Sequence, residues 1–171
     1  MTLSAMQPCY LPWLGYFYKL AHCDLFIVLD DVEMSGKSNE NWVNRCVIAG
    51  PGGEAMLTVP LRTRHGKRIR EVEVDGDRWV AKHRKAIEQT YSRAPYRDRL
   101  DVDALVKPCT VASDVHAGTV ELARILGITT RWAWQLWFPC MLTGEDLLLE
   151  YCRMFNVDRF LFGSMGRDYV T

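Results

Sequence analysis

Residues 24–31, DLFIVLDD, place the tightest limit on the fold. Five apolar residues follow one another without a polar break, and carboxylates stand at both ends. A half-buried strand alternates and a surface helix repeats every three to four residues; an unbroken run this short suits a strand covered on both faces. Such strands belong to parallel sheets flanked by helices. The rest of the chain agrees with that reading. Residues 2–6, TLSAM, form a candidate first strand. Residues 13–23, WLGYFYKLAHC, place Trp13, Phe17, Leu20 and Ala21 at helical spacing. Near the other end, TTRWAWQLWF is β-rich. TGEDLLLEYCRMFNV reads as a helix with Thr143 as its cap and Glu145 and Asp146 in its first turn. DRFLFG then gives a short last strand. Strand, helix, strand at both ends predicts parallel βαβ units.

The middle differs. NWVNRCVIAGPGGEAMLTVPL reads as an antiparallel hairpin around Gly50-Pro51-Gly52-Gly53. IREVEVDGD alternates with Ile69, Val72 and Val74 as its apolar set, with one slip. RWVAKHRKAIEQTYSRAP is helical, with Trp79, Val80, His83, Ile87 and Tyr91 near one face, and Pro95 stops it. TVASDVHAGTVELARILGI is a second helix, with Gly127 at its C-cap. The expectation is an α/β fold: a mostly parallel central sheet flanked by helices, with an antiparallel hairpin insertion in the first half. Its 171 residues fit a single domain, 1–171, with a real core.

Charge narrows the function. The formal net charge is zero, which speaks against nucleic acid as a partner, because phosphate binding leaves a basic excess. Weak charge repulsion leaves a homo-oligomer open. The run RTRHGKRIR is basic but reads more readily as a solvated face. The apolar runs are too short for a membrane span, and the first residues lack a signal-peptide pattern. Six cysteines occur without a C-x-x-C pair, which fits reduced thiols in a cytoplasmic protein. No H-x-x-x-H, H-E-x-x-H or Cys/His cluster is present, so no metal site is expected, and no motif identifies a cofactor.

Residues 6–17, MQPCYLPWLGYF, are the richest candidate site. They follow the first strand, where parallel sheets bind ligands. The prolines stiffen the turn. Gln7 and Tyr10 bring hydrogen-bonding groups, and Trp13 and Tyr16 bring flat apolar faces that suit a sugar or base. A purely structural core turn fits equally well. Asp30 and Asp31 end the second candidate strand at the same edge, where a carboxylate can bind a hydroxyl, a metal or a cationic group, or cap a helix or loop. Asn44 and Arg45 lie in a strand-like segment, and Arg45 must find a carboxylate or a ligand anion. Among the histidines, His83 is the best general acid/base candidate; His22, His65 and His116 carry less signal. Cys9 in the turn would be activated by a helix N-terminus, although no partner histidine is legible.

The segments QPCYLPWLGYFYKLAHCDLFIVLDDV, NRCVIAG, LTVPL, WVAKHRKAIEQTYSRAPY, LGITTRW and LLLEYCRMFNVDRFLFGSMGRDYV resemble the WbqC-like proteins of bacteria. The positions matching that pattern are Gln7, Pro8, Tyr10, Pro12, Gly15, Tyr16, Asp30, Asp31, Asn44, Arg45, His83, Tyr91, Gly163, Asp168 and Tyr169. The resemblance implies a role in gene clusters for lipopolysaccharide O-antigen and other surface glycans, as a transferase without an assigned mechanism. It implies acyl or aminoacyl transfer to an amino sugar, with a nucleotide sugar or similar small molecule as partner. In that expectation His83, Asp30 and Asp31 are catalytic, and Gln7, Tyr10, Trp13, Tyr16, Asn44 and Arg45 bind substrate. Three departures stand out. Family members run on beyond GSMGRDYV, whereas this sequence ends at Thr171; the segment after RWAWQLW is not serine-rich; and Cys9 is not a family residue.

A fainter resemblance is to the start of HIGH-type nucleotidyltransferases and adenylate-forming ligases. Trp13 and Tyr16, in WLGY, stand where those enzymes carry the two histidines of H-x-G-H. The late GSMGRDYV is similar to their serine-arginine loop. An ATP-using enzyme is the corresponding alternative, and a non-catalytic binding or scaffold protein is the third.

Overall fold

The computed structural model describes residues 1–35, 41–50, 52–63 and 65–163. The chain forms two compact units. One comprises Met1–Gln7, Trp13–Val32 and Ile128–Thr171; the other comprises Pro8–Pro12 and Glu33–Gly127.

The first unit is a parallel α/β sheet. Its strands are β1 (Thr2–Met6), β2 (Leu25–Val28), β5 (Arg131–Trp134) and β6 (Arg159–Phe160), in the order β5-β2-β1-β6. All three pairings are parallel, with Leu3 opposite Leu25 and Phe26 opposite Trp132. The run DLFIVLDD is the strand its composition predicts: Leu25, Phe26, Ile27 and Val28 are all buried. The pleat sends alternate residues to opposite faces. Phe26 meets Tyr16 of α1 (Leu14–Ala21) at 5.2 Å between ring centroids. Leu25 and Ile27 pack with Leu3, Ala5, Ala133 and with Leu147 and Tyr151 of α5 (Gly144–Met154). One helix thus covers each face. Thr143 occupies the N-cap of α5, but its side chain makes no capping bond. Glu145 and Asp146 still complement the helix dipole from the first turn.

The second unit holds the hairpin β3 (Arg45–Gly50) and β4 (Gly53–Thr58), antiparallel with Arg45 opposite Thr58. The helices α2 (Arg78–Thr90), α3 (Val102–Leu105) and α4 (Ala117–Ile125) complete it. Its core joins Tyr10, Cys46, Ile48, Leu57, Val59, Trp79, Ile87, Leu105 and Val115, among others. The alternating stretch after Lys67 makes no strand ladder. Ile69–Glu71 winds into a 3-10 turn, and single bridges pair Val74 with Leu61 and Glu73 with Val111. Ile69, Val72 and Val74 are all buried, so the apolar set found a core by bending the chain instead of extending it. Gly127 ends α4 as predicted, with φ +71° and its N–H donated to the Arg124 carbonyl.

Together these elements make a mixed α/β protein: a four-stranded parallel sheet with helices and a separate antiparallel hairpin. No helix among the described residues is long and apolar enough to cross a membrane.

Candidate active site

Residues 8–12 of the opening stretch cluster with the second unit, while the residues on either side cluster with the first. Four contacts fix this short clip. The Cys9 N–H donates to His116 Nδ1 at 3.3 Å, and Thr119 Oγ1 donates to the Cys9 carbonyl at 2.6 Å. The Tyr10 N–H donates to the Trp42 carbonyl at 3.3 Å. The Tyr10 hydroxyl and His83 Nδ1 share a hydrogen bond of 2.9 Å. Leu11, at φ +44°, turns the chain in the left-handed region that side chains seldom adopt. Tertiary bonds of this density are what hold such a residue there.

The fold joins two sequence-predicted residues, Tyr10 and His83, by a direct hydrogen bond. Trp79, one helical turn before His83, completes an aromatic group. Its ring lies 5.9 Å from Tyr10 and 5.2 Å from His83, edge-on to both. Burial pushes the Tyr10 phenol above its usual range, assisted by Cys46 and Cys109, so Tyr10 is a neutral hydroxyl at physiological pH. Burial also lowers the His83 pKa, while the Thr58 backbone carbonyl works the other way. His83 is therefore a neutral imidazole, the form that accepts a proton. It opens on a cavity of ≈ 520 Å³ lined also by Thr58, Pro60, Asp75, Gly76, Asp77, Arg78, Trp79 and Lys82. A second cavity, ≈ 780 Å³, shares Gly76 and Asp77 in its lining and is bounded also by Arg62, Glu73 and Cys109. The Cys109 thiol, pushed up to about 11 by burial and then by Asp114, is protonated and a poor nucleophile there.

Asn44 and Arg45 lie beside this group. Asn44 binds Val59 twice: its carbonyl accepts the Val59 N–H at 2.8 Å, and its Nδ2 donates to the Val59 carbonyl at 2.7 Å. Arg45 Nε donates to the Asn41 carbonyl at 2.9 Å, and its guanidinium lies 5.8 Å from the Trp42 ring centroid. Within the basic run, Arg62 pairs with Glu73 and Asp75, and Arg70 lies beside Glu71; Arg64 lies outside the described residues.

The remaining candidates belong to the first unit. Gln7 follows β1 and is half-buried, Trp13 is exposed, and Tyr16 is fully buried. The Trp13 and Tyr16 rings meet edge-on at 6.3 Å. Asp30 is buried and accepts the Leu136 N–H at 3.2 Å, which caps the 3-10 turn Gln135–Trp137. The Asp31 N–H donates to Gln135 Oε1 at 3.2 Å. The Tyr151 phenol nearby is pushed up to about 12 by burial first, then by Cys140, Asp31 and Asp30. Asp168, Tyr169 and the rest of the sequence after Gly163 lie outside the described residues.

His116 is a residue that carries little weight in the sequence. It is fully buried and holds the clip through Cys9, 107 positions away. Nothing local in VASDVHAG marks it, because its partner is set by tertiary structure alone.

The sequence matches the model of the WbqC-like protein family over residues 7–171, and the chain belongs to that family. It is also similar to the uncharacterized protein Rv1507c of Mycobacterium tuberculosis. The two are 30% identical over 176 residues, which cover 98% of this chain and 74% of the relative. No solved structure matches.

Proposed function

We propose that this protein is a transferase that modifies a sugar intermediate, by acyl or aminoacyl transfer to an amino sugar, in bacterial surface polysaccharide synthesis. The observation that carries the chemistry is the neutral, buried His83 at the wall of the ≈ 520 Å³ cavity, held by the Tyr10 hydroxyl. Transfer to an amine forms a bond from the attacking nitrogen to the acyl carbon, breaks the bond from that carbon to the donor's carrier, which departs as the leaving group, and requires the nitrogen to lose a proton. A neutral imidazole fixed by hydrogen bonding takes that proton. Tyr10 is a positioning residue, since it fixes the ring through Nδ1. The Trp79 edge gives a sugar ring an apolar wall, and Arg78 and Lys82 supply positive charge for the phosphates of a nucleotide carrier. The polysaccharide setting rests on the family resemblance alone.

A second reading is favoured by the sheet. Taken in chain order, its strands run 3-2-1-4, the order of the first four strands in doubly wound nucleotide-binding sheets. The order reverses between β1 and β6, beyond whose carboxyl ends such sheets bind nucleotides, and Gln7 follows β1 there. That supports an ATP-using, ligase-like enzyme, although shared topology alone does not bring shared function.

Thermal shift with UDP-N-acetylglucosamine, ATP with magnesium, and acetyl-coenzyme A separates the readings. Ligand at about 100 times its Kd adds roughly 2.7 kcal/mol to stability. The transferase reading expects a shift with the nucleotide sugar. It also expects acyl transfer that His83→Gln lowers by about 10²–10⁴-fold. A shift with ATP and magnesium alone selects the ligase-like reading. No shift with any of the three leaves a non-catalytic binding protein.

A further inference from the structure

Three side-chain atoms in the short segment 41–45 are buried without a hydrogen-bond partner among the described residues: Asn41 Nδ2, Asn44 Oδ1 and Arg45 Nη2. The amide orientations are fixed by other bonds. Asn41 Oδ1 accepts the Val43 N–H at 2.9 Å, so the orphan on Asn41 is its NH2 group. Asn44 Nδ2 is held by Val59, so the orphan on Asn44 is its carbonyl. Burial alternates along the strand: Asn44, Cys46 and Ile48 face the core, and Arg45 does not. The two donors, on Asn41 and Arg45, are tied together by the bond from Arg45 Nε to the Asn41 carbonyl.

An unmet buried donor is costly, and a native fold keeps few of them. Here two sit four positions apart in sequence, and one belongs to a cation. Among the described residues no carboxylate pairs with Arg45. Asn41 is 2% exposed, so bulk solvent does not reach it. The donors are also held ready: the Val43 cap fixes the Asn41 amide, and the Asn41 carbonyl and the Trp42 ring fix the guanidinium plane.

We propose that Asn41 Nδ2 and Arg45 Nη2 form a subsite for an oxyanion, a carboxylate or phosphate carried by the substrate. It lies next to the His83 site through two links. Arg45 pairs with Thr58, whose carbonyl acts on His83, and Trp42 accepts the Tyr10 N–H. The substrate is then an anionic sugar derivative, acidic or phosphorylated. The inference rests on the proposed function only in calling that ligand a substrate.

The test is a titration of the full chain with sodium phosphate and, separately, sodium glucuronate, followed by NMR at the Asn41 side-chain amide and Arg45 Nε. The expected result is saturable movement of both signals with at least one anion. Phosphate alone identifies a phosphoryl group, and glucuronate alone a carboxylate. Asn41→Asp keeps the Val43 cap and exchanges the orphan donor for an acceptor, so it weakens binding tenfold or more. Arg45→Lys keeps the charge, loses the fork and also weakens it; this variant carries the test if Asn41→Asp fails to fold. No movement with either anion, or unchanged affinity in a folded variant, overturns the proposal. His83→Gln leaves oxyanion affinity within twofold, so the subsite stands even where the transferase reading falls.

Discussion

His116 illustrates what one buried side chain can set. Burial lowers its pKa to about 4, against a weaker opposing contribution from Cys9. The unfolded chain binds a proton near 6.5 and the folded one does not until about 4. Its contribution is therefore complete above pH 6.5 and is lost as pH falls toward 4, on the order of 3 kcal/mol in all. Urea unfolding measured across that window should show falling stability with acid, and His116→Asn should flatten the profile. Gly118 sets a different limit. A Cβ there would stand 2.2 Å from the Leu105 carbonyl oxygen and 2.9 Å from Leu11 Cδ2. The first neighbour is backbone and cannot rotate away. Gly118→Ala should cost about 1–3 kcal/mol or more, read as a lower midpoint in the same titration, whereas alanine at the open position Gly52 is spared that clash.

Among the elements, β2 is the one most dependent on burial. Ile27 is 0% exposed between Ala5 and Ala133, so Ile27→Ala should cost about 2–5 kcal/mol. Elements of this kind were legible because their signal is local: DLFIVLDD announces a strand covered on both faces, the Gly-Pro-Gly-Gly turn announces the hairpin, and Gly127 announces a helix end. The stretch holding Ile69, Val72 and Val74 was not, because alternation says which residues are buried but not whether a partner strand exists. The site divides the same way. Tyr10, Asn44, Arg45 and His83 could be singled out by residue type and neighbourhood. That Tyr10 bonds His83, 73 positions away, follows only from the folded chain. Asn41 carried no local signal, since its interest lies in a bond it does not make.

For the molecule as a whole, the division into two units has a measurable form. Opening reactions follow cooperative units rather than sequence. Amides of β1 and β2 should exchange with one protection level, and those of β3, β4 and α2 with another. The clip is the discriminating segment. The Cys9 and Tyr10 amides should follow β3 and β4, although their sequence neighbours belong to the sheet. Exchange of Cys9 and Tyr10 at the β1 rate would contradict the assignment. The parallel ladder has a further consequence during synthesis. β2 pairs on one side with β1, but its other neighbour, β5, begins at Arg131. A ribosome adding about 5–20 residues per second needs roughly 5–20 seconds to make the intervening segment. Throughout that interval the nascent chain carries a Leu-Phe-Ile-Val edge with nothing to zip onto. That edge is a natural recruitment point for a chaperone and the place where neighbouring chains on a polysome would cross-pair.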